Sequence, residues 1–206
     1  MPSPRIEFGR VEGDWSDKEV YVIGGGPSLK DFDFTRLKGY TIGANRTAFV
    51  ANTDALVSVD RVFITRAAED MKGYAGRLFL CVKNPDGCIP LEGATYLRYD
   101  PSEGLSDNPE YLIGLNSGHC ALNVAYLLNA KSISLLGFDM KMDGSTKHFH
   151  GGYSWAGGAG NYMPWAKRFG RAATQLKNKG VQVINYVGPN GSGLTCFPTR
   201  PLEELQ

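Results

Sequence analysis

An α/β fold, a single Rossmann-like domain over residues 1–206 with a doubly wound, mostly parallel sheet flanked by helices, is predicted by three features of this sequence. Short β-rich segments alternate with helix-forming ones along the chain. The strand segments are continuously apolar rather than strictly alternating, as befits strands covered on both faces. The 206 residues suffice for one core, because a chain of that size buries roughly 70% of its unfolded surface.

Residues 19–23 (EVYVI) form a first strand that runs into the tight loop Gly24-Gly25-Gly26-Pro27-Ser28. A helical turn is expected over 35–38, and a second strand over 40–44 that ends at Asn45-Arg46. Residues 55–59 (ALVSV) are a third strand ending at Asp60, followed by helix formers over 61–74. A fourth strand falls at 77–82, a fifth at 95–98, and the polar stretch 100–109 reads as a loop. Over 118–129 the apolar residues Ala121, Leu122, Val124, Ala125, Leu127 and Leu128 have the spacing of a helix packed on a sheet. The buried strand 132–136 (SISLL) ends in Gly137-Phe138-Asp139, and 141–160 is a long glycine-rich loop. An amphipathic helix over 164–179 stops at Gly180, and 181–187 is a last strand.

With 22 Lys+Arg against 21 Asp+Glu, the net charge of +1 excludes the chain-wide basic surface that drives non-specific nucleic-acid binding. No run approaches 18 apolar residues, and the first fifteen positions carry charges and prolines where a signal peptide needs an apolar stretch. A cytoplasmic protein without a membrane span is therefore expected. Cys81, Cys88, Cys120 and Cys196 make no CxxC pair, and Cys81 and Cys120 read as small buried hydrophobes.

Ligands of such sheets bind where the carboxyl ends of the strands meet at a reversal of strand order. Five polar segments fall just after strands or before a helix: residues 24–30, Asn45-Arg46, Asp60, Asn116-Ser117-Gly118, and 137–139. Gly24, Gly25, Gly26, Pro27 and Ser28, with Lys30, offer backbone N–H groups, a hydroxyl and an ammonium that suit a phosphate, although a bare glycine turn explains them too. The spacing is neither G-x-G-x-x-G nor a P-loop. Asn116, Ser117 and Gly118 open the strongest helix, so they face an anion or Ser117 simply caps the helix. His148 and His150, two of three histidines, fall in a polar loop beside Asp139, Asp143, Tyr153 and Tyr162. A general base, a metal site with an Asp, and a solvated loop all fit these residues, and Asp139 also fits an Asx cap.

Taken together, Gly24-Gly25-Gly26-Pro27-Ser28-Leu29-Lys30 after the first strand, Asn45 after the second, Asn116-Ser117-Gly118 opening a helix and Leu136-Gly137-Phe138-Asp139 resemble a known superfamily. It joins MptE-like proteins with bacterial sialyltransferases of glycosyltransferase family 42, and the resemblance spans about residues 19–190. The histidine loop and the closing Phe197-Pro198 resemble its short phage-encoded members. The resemblance implies a nucleotide or nucleotide-sugar donor whose phosphate and ribose are held by Gly24, Gly26, Pro27, Ser28, Asn45, Ser117 and Gly118. Gly137 and Asp139 would flank the base, and His148 or His150 would deprotonate the acceptor without a metal. Tyr153 or Tyr162 would hydrogen-bond the departing phosphate.

The expected function is thus a nucleotide-dependent, glycosyltransferase-like transferase acting on a small-molecule nucleotide ligand and an unidentified acceptor. The MptE-like branch implies an alternative, pyrophosphate transfer from magnesium-bound ATP to a pterin-like acceptor, with Asp60 and Asp139 as the available metal carboxylates. A nucleotide-binding phage module without catalysis is the third reading. Homo-oligomerisation is open.

Overall fold

The computed structural model describes residues 6–83, 90–144, 146–151 and 162–205. Its sheet has nine strands: β1 Val20–Ile23, β2 Tyr40–Ala44, β3 Ala55–Ser58, β4 Arg77–Val82, β5 Ala94–Asp100, β6 Tyr111–Ile113, β7 Ser132–Leu136, β8 Gln182–Val187 and β9 Thr199–Pro201. Every pairing among them is parallel, in the order β6-β5-β4-β3-β2-β1-β7-β8-β9. The helices are α1 Thr47–Val50, α2 Arg61–Arg66, α3 Ala68–Lys72, α4 Ser117–Leu127 and α5 Tyr162–Asn178. None of the described helices is long and apolar enough to cross a membrane.

The continuous apolar character of the strands follows from cover on both faces. Along β1, Val20 and Val22 enter the largest core cluster, whereas Tyr21 and Ile23 enter another on the opposite face. That largest cluster takes Cys120, Ala121, Val124 and Ala125 from α4 and Phe169, Ala172 and Leu176 from α5. The α5 residues recur at three and four positions, which is the inward stripe of an amphipathic helix. Each large side chain buried this way contributes about 1.5–3 kcal/mol. Gly180, at φ 73°, ends the helix, and its N–H donates to the Lys177 carbonyl.

Connectivity creates the feature that matters for function. Strands β1 to β6 step outward in one direction, and then α4 carries the chain back across β3, β2 and β1 to β7. β7 pairs with β1 on its other side, so strand order reverses between these two neighbours. A crevice opens at their carboxyl ends, the usual ligand position of a doubly wound sheet.

Several elements depart from the sequence expectation. The single helix expected over 61–74 is two, α2 and α3, joined at Ala67. α1, β6 and β9 were not expected, and β5 is longer than 95–98. β6 and β9 are three residues long and lie at the sheet edges, where Pro201 is tolerated because it has no ladder bond to donate.

His119 sits in the first turn of α4 and is fully buried. Its Nε2–H donates to the Gly104 carbonyl at 3.0 Å, and its ring stacks on Phe169 at 4.3 Å. Burial pushes its pKa down to about 4, against 6.5 for an ordinary imidazole. Between these two values the unfolded chain binds a proton that the folded one refuses, so stability is whole above pH 6.5 and falls as the pH drops toward 4. At pH 5 this single group should cost about 2 kcal/mol relative to pH 7.5. Urea unfolding at the two pH values should show the loss in the wild type and a loss smaller by about that amount in His119→Phe. Equal losses would refute the assignment.

Candidate functional site

The crevice is a cavity of about 800 Å³. Gly24, Gly25, Gly26, Asn45, Asp60, Asn116, Ser117, Gly118, Gly137, His148, His150 and Tyr162 all line it, so most residues singled out from sequence meet in one place. Pro27, Ser28 and Asp139 do not line it. Tyr153 lies outside the described residues.

The glycine triplet is built for close approach to the β7 loop. The Gly24 N–H donates to the Leu136 carbonyl at 2.7 Å and the Gly26 N–H to the Gly137 carbonyl at 2.9 Å. Two of the triplet's three amides, expected to be available to a phosphate, are therefore committed to the end of β7 and the loop that follows it. A Cβ on Gly24 would stand 2.6 Å from the Gly137 carbonyl oxygen, and one on Gly26 would stand 2.5 Å from both that oxygen and Asp139 Oδ2. Gly137 itself has φ 69°, a left-handed conformation that glycine adopts without strain.

Ser28 and Asp139 stand behind the cavity and satisfy each other. The Ser28 N–H donates to Asp139 Oδ2 at 2.8 Å, and its hydroxyl donates to Oδ1 at 2.6 Å. Burial raises the Asp139 pKa, and the two bonds from Ser28 oppose that rise. Asp139 thus works as a strut between the β1 and β7 loops. Asp60 is similarly occupied, since its Oδ1 accepts from the N–H groups of Val62 and Phe63 and caps α2.

The start of α4 is tied to the ends of β2 and β3. Asn116, not Ser117, is the N-cap, its Oδ1 accepting from the His119 N–H at 2.9 Å. This frees the Ser117 hydroxyl to donate to Asn45 Oδ1 at 2.8 Å and to accept from the Val59 N–H at 3.1 Å. Asn45 holds the required geometry at φ 54°, which asparagine tolerates better than most residues. Gly118 lets α4 approach the Phe138 ring, which a Cβ would meet at 3.2 Å.

The histidines close the other side. His148 Nδ1 is 3.2 Å from the Gly25 carbonyl oxygen, and the Phe149 N–H donates to the same oxygen at 3.1 Å. His148 and Phe149 of the glycine-rich 141–160 loop are therefore docked on the glycine triplet. The His148 and His150 rings stack with centroids 5.1 Å apart and planes 5° apart. Burial lowers both pKa values, that of His150 to about 4, and the charge of Lys147 lowers His148 further. Burial thus favours the neutral form of both rings at pH 7. Burial, and after it the charge of Asp139, raises the pKa of Tyr162.

Sequence reading missed Arg66, Lys141 and Lys147, which also line the cavity. With Asp60 the one carboxylate among the described lining residues, the crevice favours an anionic ligand. No cluster of three or more metal-type side chains occurs among the described residues. Tyr99, Leu115 and Trp165 supply apolar surface along the same cavity.

No protein-family model and no curated protein matches the chain. Among solved structures, the MAf glycosyltransferase from Magnetospirillum magneticum AMB-1 aligns with 98% of this chain at a TM-score of 0.62 and 16% identity. The chain spans only 36% of that protein. The sialyltransferase CstII from Campylobacter jejuni, in complex with the substrate analogue CMP-3FNeuAc, aligns with 89% of this chain and 86% of its own at a TM-score of 0.51 and 15% identity. Both neighbours are glycosyltransferases. At these identities the likeness is one of fold, and that fold is the α/β Rossmann-like architecture described above.

Proposed function

We propose that the protein is a nucleotide-dependent transferase of the glycosyltransferase type, which binds a nucleotide-sugar donor in the switch-point crevice and uses a histidine of the 148–150 segment as general base. The observation that carries this reading is the docking of two neutral histidines onto the glycine loop, inside a cavity lined by Arg66, Lys141 and Lys147. A neutral imidazole takes an acceptor proton near physiological pH, while cations and Tyr162 stabilise charge on the departing phosphate. The sialyltransferase-like side of the MptE-like superfamily is favoured over the diphosphokinase side. Magnesium-bound ATP needs available carboxylates, whereas Asp139 is held at both oxygens by Ser28 and Asp60 caps a helix.

Thermal shift with nucleoside mono-, di- and triphosphates, each with and without EDTA, tests the reading. A nucleoside mono- or diphosphate at a hundred times its Kd adds about 2.7 kcal/mol to stability, which for a chain of this size is roughly 5–10 °C. That shift should survive EDTA. Stabilisation only by ATP with magnesium would transfer the assignment to the diphosphokinase, and no response to any nucleotide would leave a module of another kind.

A further inference from the structure

We propose that His148 and His150 have separate roles: the Gly25 carbonyl and the flat face of His150 hold His148 as its Nδ1–H tautomer, with the basic lone pair on Nε2, and His150 is a positioning residue. The inference rests on the proposed function only for what the Nε2 lone pair does. The tautomer itself follows from the geometry. A carbonyl oxygen can only accept, so the 3.2 Å contact with Gly25 requires the hydrogen on Nδ1. A neutral imidazole carries one such hydrogen, which leaves Nε2 as the acceptor.

Three contacts fix the ring. Its nitrogen is anchored on Gly25, and the next residue's N–H, that of Phe149, is anchored on the same oxygen. The third is the parallel face of His150 at 5.1 Å. His150 is itself held, being 7% exposed and packed edge-to-face on Phe149 at 5.2 Å. Phe149 in turn leans on Phe34 at 5.6 Å and joins the core cluster beneath β1. Gly25 is part of the same fit, because a Cβ there would meet His148 Nδ1 at 2.7 Å and His150 Nε2 at 3.4 Å. The charged groups acting on the pair, Lys147 on His148 and Arg46 on His150, both favour the neutral rings this arrangement needs.

Long-range ¹⁵N–¹H correlation spectra of the imidazoles test this directly, since the chain has three histidines and each can be assigned by substitution. In the wild-type protein at pH 7.5, His148 should show the Nδ1–H pattern and His119 the Nε2–H pattern. His150→Phe, which keeps a flat ring, should preserve the His148 pattern, and His150→Ala should replace it with a tautomer average. An Nε2–H pattern at His148 in the wild type would overturn the proposal, as would an unaltered pattern in His150→Ala. Titrating CMP into the same samples separates this from the functional reading: absent nucleotide binding would remove the donor site without touching the tautomer result.

Discussion

His148→Ala should reduce group transfer by about 10²–10⁴-fold, the range a positioned general base supplies. Nucleotide binding, measured by calorimetry with whichever donor nucleotide stabilises the protein, should change little, because the crevice owes its charge to Arg66, Lys141 and Lys147. The pH profile gives an independent check. A base must be neutral to accept a proton, and burial holds the His148 pKa below the 6.5 of an ordinary imidazole. The acid limb of kcat/KM should therefore lie below pH 6.5, and the limb should disappear from the residual activity of His148→Ala. Transfer within threefold of the wild type in that variant would sink the assignment of the base.

How much of this was legible in the sequence differs by level. The central strands were, because burial on both faces leaves continuous apolar runs such as VYVI in β1 and SISLL in β7. The edge strands were not. Tyr111–Ile113 is apolar but too short to show a period, and Thr199–Pro201 is exposed at all three positions. Strand order was also hidden, since alternation of elements implies a parallel sheet without saying that β7 pairs with β1.

At the site, position was legible and role was not. Gly24, Asn45 and Gly137, marked by their place after strands, Ser117 at the start of a helix and His148 in a polar loop all line one cavity. The same residue types also serve to hold loops together, and that use depends on partners distant in sequence. Ser28 and Asp139 are 111 positions apart and Asn45 and Ser117 are 72 apart. Nothing in the local sequence distinguishes a serine that grips a phosphate from one that grips an aspartate. Arg66, Lys141 and Lys147 escaped notice for the opposite reason, since isolated cations on helices and loops read as solvated surface.

Gly26→Ala should be among the most damaging single-methyl changes in the crevice, lowering stability by about 3 kcal/mol and the melting temperature by roughly 6–12 °C. Backbone conformation is not the obstacle, because Gly26 has φ −60° and ψ 147°, which alanine adopts freely. The obstacle is space, since the new Cβ would lie 2.5 Å from the Gly137 carbonyl oxygen and 2.5 Å from Asp139 Oδ2. Neither neighbour can withdraw cheaply. The carbonyl belongs to the backbone that receives the Gly26 N–H, and the carboxylate is held at both oxygens by Ser28. Relief would break at least one of those bonds, and bonds to charged groups contribute about 1.5–3 kcal/mol each. Gly25→Ala provides the contrast. Its nearest obstruction is the His148 ring at 2.7 Å, a side chain that can move by giving up its bond to the Gly25 carbonyl and its stacking on His150. Stability should therefore fall by less than in Gly26→Ala while transfer drops with the displaced base. Differential scanning calorimetry and turnover measured on both variants decide the matter. Equal melting temperatures for the two would mean that the strut between the β1 and β7 loops is not what makes the glycine at position 26 necessary.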